Sequence, residues 1–225
     1  MLLVVFLVVW IWAAIDPLYR DGWLLENVLV VMLVPLIVFG GMYFKLSNLS
    51  YTLITLFTIM HVVGSHYTYA EVPFGFMLQD WLDASRNMYD RLVHFSFGLL
   101  LAYPVREVFM RLARTRGAWG FFFPVELIFA ASALFEIIEW IVVEIADPAA
   151  GLAFLGVQGD IWDAQKDMLL AGIGAFIAMA VVFCIHWRND KRFWYELWES
   201  VRPNKGDRPI GEEAFDEIAK DRLES

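Results

Sequence analysis

The sequence predicts an all-α polytopic membrane helix bundle of about six transmembrane helices, followed by a short cytoplasmic amphipathic tail. Hydrophobic residues make up 60% of the 225-residue chain and aromatic residues 16%, and the mean hydropathy is +0.57. These values are typical of an integral membrane protein and exclude an ordinary soluble domain. Six apolar runs also approach the roughly 20 residues that a helix needs to cross a bilayer.

The six apolar runs predict six helices in chain order. They lie at roughly 2–15, 24–43, 50–67, 88–110, 118–145 and 166–187. The first run is short, but it has neither the basic start nor the small-residue cleavage site of a signal peptide, so we expect a retained helix. Together the runs predict one six-span transmembrane domain over residues 1–187.

Two further segments mix aromatic and polar residues, which is typical of helices that lie in the membrane interface. The first is the connection at 70–87, which contains Phe74, Phe76 and Trp81. We expect an interfacial helix there, with a lid over the mouth of the bundle as the alternative. The second is residues 188–225, which we expect to form a cytoplasmic interfacial helix and a charged tail.

The distribution of basic residues predicts the orientation, because Lys and Arg are retained on the cytoplasmic side of short loops. Basic residues follow the fourth and sixth runs, at Arg106, Arg111, Arg114, Arg116, Arg188, Lys191 and Arg192. The connections around 70–87 and 146–165 are acidic, so both termini are expected in the cytoplasm and these two connections outside. The net charge of −9 disfavours nucleic acid as a partner. The lipid bilayer is the partner that we expect.

Candidate metal ligands begin in the fourth run. Asp90 and His94 are four residues apart, so they project from one face of a helix. This spacing occurs in metal sites, but a hydrogen-bonded structural pair explains it equally well. Glu136 and Glu139 share a face near the outer end of the fifth run, where two unpaired carboxylates would repel each other. A cation or a shared proton is therefore implied.

The sixth run opens with three aspartates, Asp160, Asp163 and Asp167. Helix capping and the helix dipole explain one or two acidic residues at such a position, but not all three. In the third run, His61 and His66 are five residues apart, or about 140° around a regular helix. Both could face the site only if Gly64 and Ser65 bend or open the helix, so we expect His66 to face the site and His61 to lie deeper.

The predicted orientation places seven of these residues at one depth, in the outer half of the membrane: His66, Asp90, His94, Glu136, Glu139, Asp163 and Asp167. Five of them are carboxylates, and Arg91 and Lys166 are the only basic residues expected nearby. An excess of about three negative charges is costly to bury. Divalent metal, a hydrogen-bonded proton network and structural pairing are the three explanations.

A metal site suggests a hydrolase. We expect a divalent metal (zinc, manganese, iron or magnesium), since histidine and carboxylate ligands without thiolate suit these ions. Its expected ligands are Asp90, His94, Glu136, Glu139 and Asp167. Asp163 or His66 would be the general base, and Lys166 and Arg91 would hold an anionic ester or phosphoester, including a lipid-linked one. Di-iron chemistry is less favoured, because the Glu-x-x-His motif is absent.

Three segments resemble the YjdF-like bacterial inner-membrane proteins, a family of undetermined function. They run from His61 to Pro73, from Tyr89 to Glu107 and from Gly159 to Asp167. The resemblance implies a multi-span protein of the bacterial inner membrane, and it brings no established activity.

Two other function classes stay open. A proton-coupled transporter or ion pathway would need polar groups through both halves of the membrane, and Glu126 is the main ionisable candidate in the inner half. A non-catalytic subunit would use its aromatic outer helices to contact a membrane-protein partner or a second copy of the chain. The polar residues would then only set the register of the helices.

Overall fold

The protein is described here by a computed structural model that covers residues 1–145, 158–203, 211, 215–216 and 219–220. Over these ranges the regular structure is helical, and no strand occurs in them. The helices are α1 (Leu2–Ala14), α2 (Arg20–Tyr43), α3 (Asn48–Tyr67), α4 (Pro73–Trp81), α5 (Tyr89–Arg111), α6 (Trp119–Ile145), α7 (Asp163–Asn189) and α8 (Phe193–Ser200).

The predicted polytopic bundle is confirmed. Among the described residues, five helices are long and apolar enough to cross a membrane: α2, α3, α5, α6 and α7. The first predicted span corresponds to α1, which has 13 residues. Its length of about 20 Å falls short of the roughly 30 Å hydrocarbon core. The described part of the bundle therefore has five helices of spanning length and one short apolar helix that packs against α3.

Helices α5 and α7 form the centre of the bundle, and small residues bring them close together. A Cβ added at Gly98 would overlap the backbone of Ala171, and one added at Gly174 would overlap the backbone of Phe95. Such small-residue contacts let membrane helices approach closely where no hydrophobic effect drives them together. The pairing places the first turns of α5 and α7 side by side at one end of the bundle.

Helix α3 ends in a turn that directs Tyr69 back toward the bundle. Thr68 and Tyr69 both have positive φ angles, 58° and 51°, which are uncommon outside glycine. The ring of Tyr69 lies over Gly64, where an added Cβ would come within 2.7 Å of it. Glycine at this position is therefore what allows Tyr69 to lie against α3.

The helices expected outside the spans are present as α4 and α8. Helix α4 lies within the predicted segment 70–87 and exposes Phe74 and Trp81. Helix α8 is tied to the start of α6, because the Trp119 indole donates a hydrogen bond to the Ser200 carbonyl at 2.7 Å. Most of the charged tail after residue 203, and residues 146–157 of the predicted outer connection, lie outside the described residues.

Candidate functional site

The start of α5 aligns Asp90 with His94, as their four-residue spacing predicts. Asp90 Oδ1 lies 3.6 Å from His94 Nε2. Arg86, one turn earlier in the preceding loop, places its Nη2 at 3.4 Å from Asp90 Oδ2. The predicted shared face of Asp90 and His94 is thus present in the folded chain.

Helices α6 and α7 complete what we call the carboxyl-histidine cluster, formed by Asp90, His94, Glu136 and Asp167. One potential ligand atom from each of Asp90, His94 and Asp167 lies within 4.8 Å of the other two. Glu136 Oε1 is 3.5 Å from His94 Nε2. Oε1 of Glu136 and Oδ1 of Asp167 are buried and accept no hydrogen bond from the described residues. Such buried acceptors require an explanation.

Two arginines neutralise part of this negative charge. Arg91 Nη2 lies 2.8 Å from Asp160 and 2.6 Å from Asp163, and its Nε lies 3.2 Å from Asp167. Arg86 also pairs with Asp163. The expectation that Arg91 and Lys166 are the only basic residues near the site was therefore wrong. Arg86 lies in a loop, where the spacing of residues does not predict where a side chain points. Its position four residues before Asp90 could still have indicated a contact between the two.

Lys166, a predicted substrate-binding residue, lies at the rim of the site. Its Nζ is 2.6 Å from Asp160 Oδ2, and 48% of its side chain is exposed. Hydrogen bonds from Lys166, the backbone N–H of Trp162 and Arg91 hold the pKa of Asp160 well below its usual range. Asp160 is therefore a charged anchor for Lys166 and Arg91 at neutral pH.

Asp163, one of the two predicted general bases, is already engaged. Its Oδ1 atom accepts hydrogen bonds from both Arg86 and Arg91, and the side chain is 9% exposed. Both guanidinium groups occupy this oxygen, so it is not free to contact a water or a substrate. The geometry thus favours a structural role for Asp163.

A cavity of about 290 Å³ adjoins the carboxyl-histidine cluster, and most of its wall is apolar. Its polar and ionisable lining includes Glu26, His61, Tyr69, Asp90, His94 and Glu139. Ser132 also faces the cavity, and its hydroxyl is buried without a hydrogen bond to any described residue. This combination of apolar walls and a few converging polar groups is typical of a ligand site.

The hydrogen bonds of His61 define its neutral tautomer. Its Nε2 lies 3.1 Å from the backbone carbonyl of Glu26, which can only accept, so Nε2 carries the proton and donates. Its Nδ1 then accepts a 2.6 Å hydrogen bond from the Tyr69 hydroxyl. Burial raises the pKa of Tyr69 well above its ordinary value, so the phenol keeps the proton that it donates. We call this the His61–Tyr69 pair.

His66, the other predicted base, lies elsewhere, so the expected order of the two histidines is reversed. His66 Nδ1 donates a hydrogen bond to the Ala13 carbonyl at 3.1 Å, and its ring is 4.6 Å from that of Trp12. It is not among the described residues that line the cavity. Helix α3 continues through Gly64 and Ser65, so the two rings stay on different faces, as the regular helix angle requires.

Three residues of the site were not among the predicted ones: Glu26, Tyr69 and Arg86. Glu26 had the clearest signal, since a carboxylate inside an apolar run is costly unless it is paired or used. Nothing in the sequence indicated Tyr69, because its position depends on the two residues with positive φ angles that end α3. Six carboxyl groups and two guanidinium groups thus meet around the cavity and cluster: Glu26, Asp90, Glu136, Glu139, Asp163, Asp167, Arg86 and Arg91.

Comparison with known proteins agrees with the resemblance noted in the sequence. A model of the family described as "Predicted membrane protein (DUF2238)" matches residues 1–188. "Inner membrane protein YjdF" of Escherichia coli (strain K12) is 41% identical over 172 residues, which are 76% of this chain and 82% of that protein. No solved structure is significantly similar. The chain therefore belongs to the DUF2238 family of membrane proteins, and the YjdF-like resemblance is confirmed.

Proposed function

We propose that this protein is a divalent-metal-dependent hydrolase of a lipid-linked ester or phosphoester. The observation that carries the proposal is the convergence of ligand atoms from Asp90, His94 and Asp167 within 4.8 Å of one another. Ligands of one ion sit roughly 2 Å from it, so two ligands of a tetrahedral ion lie about 3.3 Å apart. Binding a single ion would therefore bring the three atoms closer to one another by at most about 1.5 Å.

The surplus of carboxyl groups supports a cation rather than simple structural pairing. The two guanidinium groups contact three of the six carboxyl groups around the cavity and cluster, Asp90, Asp163 and Asp167, so carboxyl groups outnumber arginines two to one or more. Buried unpaired charge is strongly destabilising. Glu136 lies 3.5 Å from His94 and its Oε1 accepts no hydrogen bond from the described residues, so it is the best candidate for a fourth ligand, and Glu139 faces the cavity nearby.

The chain's own residues suggest how the reaction would be arranged. When bound, the metal would supply an activated water and a polarised ester oxygen. Glu139, which lines the cavity, is better placed than the engaged Asp163 or the distant His66 to accept a proton. Arg86 and Arg91 would hold the aspartates in position, and Lys166 at the rim would attract an anionic head group.

We also propose where this protein lies in the cell. The relative in Escherichia coli is named an inner membrane protein, and the basic segments after α5 and α7 follow the positive-inside pattern. We therefore place this chain in the bacterial inner membrane with both termini in the cytoplasm. The carboxyl-histidine cluster would then face the periplasmic side.

The first test is the metal content of the detergent-purified protein by elemental mass spectrometry. Near-stoichiometric metal is expected in the wild type and in Glu126→Gln, which removes a carboxylate from an exposed position on α6. Asp90→Asn and Asp167→Asn are expected to lose it. Equal metal contents in all four proteins, or none after reconstitution of a folded wild type, would reject the site. Hydrolysis of phosphoester lipids by the metal-loaded wild type would then be measured.

A proton-coupled transporter is the second candidate, and the His61–Tyr69 pair is what favours it. The pair is a buried hydrogen-bonded chain of two proton-bearing groups that lines the same cavity as Asp90. A proton-driven flux in proteoliposomes that Tyr69→Phe and Glu126→Gln both abolish would support transport. A flux that depends on neither residue, or no flux at all, would count against it.

A further inference from the structure

The cavity beside the cluster opens between two helices that pack on different neighbours. Helix α2 packs on α3, whereas α6 packs on α5 and α7. Both nevertheless contribute to the wall, α2 through Glu26 and Leu29 and α6 through Ser132, Leu134 and Ile138. The gap between α2 and α6 is therefore the side on which the cavity meets the surroundings of the bundle.

The residues at this gap are apolar and exposed, whereas the polar groups of the cavity are buried. Leu29 is 38% exposed, Leu134 58% and Ile138 47%, but Glu26 is 8% exposed and His61 3%. In a spanning bundle, exposed leucine and isoleucine side chains face lipid chains. The opening therefore faces the bilayer interior, and an amphiphile can reach the polar groups without leaving the membrane.

We infer that this cavity is a binding site for one hydrocarbon chain of a membrane amphiphile, which reaches it sideways through the gap between α2 and α6. We call this gap the lateral opening, bordered by Leu29, Leu134 and Ile138. The head group lies against the carboxyl-histidine cluster and Ser132. That the head is a phosphoester rests on the proposed function, but the chain site does not.

The volume and the wall chemistry limit what the site accepts. About 290 Å³ is just below the roughly 300–1,000 Å³ of small-molecule sites, which suits one chain better than two. Because lipid chains are as apolar as Phe57 and Phe97 in the wall, burying a chain there adds little affinity. Selectivity must come from the head group, through the Ser132 hydroxyl, which has no hydrogen bond to a described residue, and the neighbouring carboxyl-histidine cluster.

The test uses a monoacylglycerol probe with a diazirine at the end of its chain, added to the full-length protein in proteoliposomes. The neutral head group keeps the result independent of any metal. After irradiation, mass spectrometry of peptides locates the adducts. Labelling is expected on the cavity residues Phe57 and Phe97, which lie behind the lateral opening.

Two matched α6 variants decide whether the route is lateral. Ile138→Trp enlarges a residue of the lateral opening and is expected to reduce cavity labelling severalfold. Ile137→Trp is the control, because Ile137 is the adjacent residue, is 50% exposed and does not line the cavity. It should label like the wild type. Absent cavity labelling, or equal labelling in both variants, would overturn the inference.

The same samples separate this inference from the proposed hydrolase. Cavity labelling with no bound metal and no hydrolysis would retain the chain site and reject the metal-dependent activity. Hydrolysis of a short-chain soluble phosphoester by a wild type that shows no cavity labelling would retain the hydrolase and reject the chain site. A phosphate-headed version of the probe should label only the metal-loaded protein, since the carboxylates repel an anionic head otherwise.

Discussion

The two ends of α5 carry polar clusters of opposite kinds. At its last turns, one carboxylate, Glu107, has a partner for each oxygen: Oε1 accepts from Ser47 N at 2.9 Å and Arg111 Nη1 at 2.6 Å, and Oε2 from Ser50 Oγ at 2.6 Å. We call this the Glu107 cluster. It joins the start of α3 to the end of α5, and it leaves no carboxylate oxygen without a donor.

At the first turns of the same helix, the carboxyl-histidine cluster lacks such balance. Its carboxyl groups outnumber the nearby guanidinium groups, and two of its buried oxygens accept no hydrogen bond from described residues. A satisfied polar cluster orders helices, whereas an unsatisfied one in a membrane protein points to a bound species or a proton. Balance, rather than polarity, distinguishes the structural cluster from the candidate site.

The largest expected effect on stability comes from removing a positive charge from beside the carboxyl-histidine cluster. Arg91→Ala would leave Asp163 and Asp167 with less positive charge, and we expect a loss of about 3–5 kcal/mol in the free energy of unfolding, as for other broken buried pairs. Thermal unfolding in detergent measures it. Adding Asp163→Asn should restore part of the stability. Wild-type stability of Arg91→Ala would mean that these aspartates are not ionised.

Supplying a cation should have the next largest effect. A divalent metal at 100-fold its Kd is expected to stabilise the protein by about 2.7 kcal/mol, and a chelator should reverse the gain. The metal-dependent rise in Tm should disappear in Asp90→Asn and persist in Glu107→Gln. A rise that is equal in both variants would show that the metal acts elsewhere.

Removing charge from the balanced cluster should cost stability without touching the site. Glu107→Gln weakens charged hydrogen bonds from Arg111 and Ser50, so we expect a loss of about 1.5–3 kcal/mol. The metal content by elemental mass spectrometry should stay at the wild-type value. Loss of metal together with stability would show that the two ends of α5 are coupled.

The smallest expected effect on stability comes from Tyr69→Phe, at about 1 kcal/mol for one lost hydrogen bond. The His61–Tyr69 pair is not among the expected ligands, so metal content should not change. If the pair transfers a proton, the kcat of hydrolysis, measured separately from KM, should fall. Unchanged kinetics would leave the pair as a structural contact of α3. Gly64→Ala should act in the same way, because its Cβ would displace the Tyr69 ring.

Much of this architecture follows from composition and local spacing. The apolar runs determine a helical membrane bundle, because backbone groups in lipid must be satisfied within the segment. The shared face of Asp90 and His94 follows from the helical repeat alone. The sequence does not show which helices pack against one another, because the periodicity of each apolar run describes only that run.

Tertiary structure decided the composition of the site. The glycine contacts between α5 and α7 set Asp167 beside Asp90, and the rotation of α3 turned His61 toward the cavity and His66 toward α1. Arg86 and Tyr69 entered through loop and turn geometry. Helical spacing sets which residues share a face, but only packing against neighbouring helices decides where that face points.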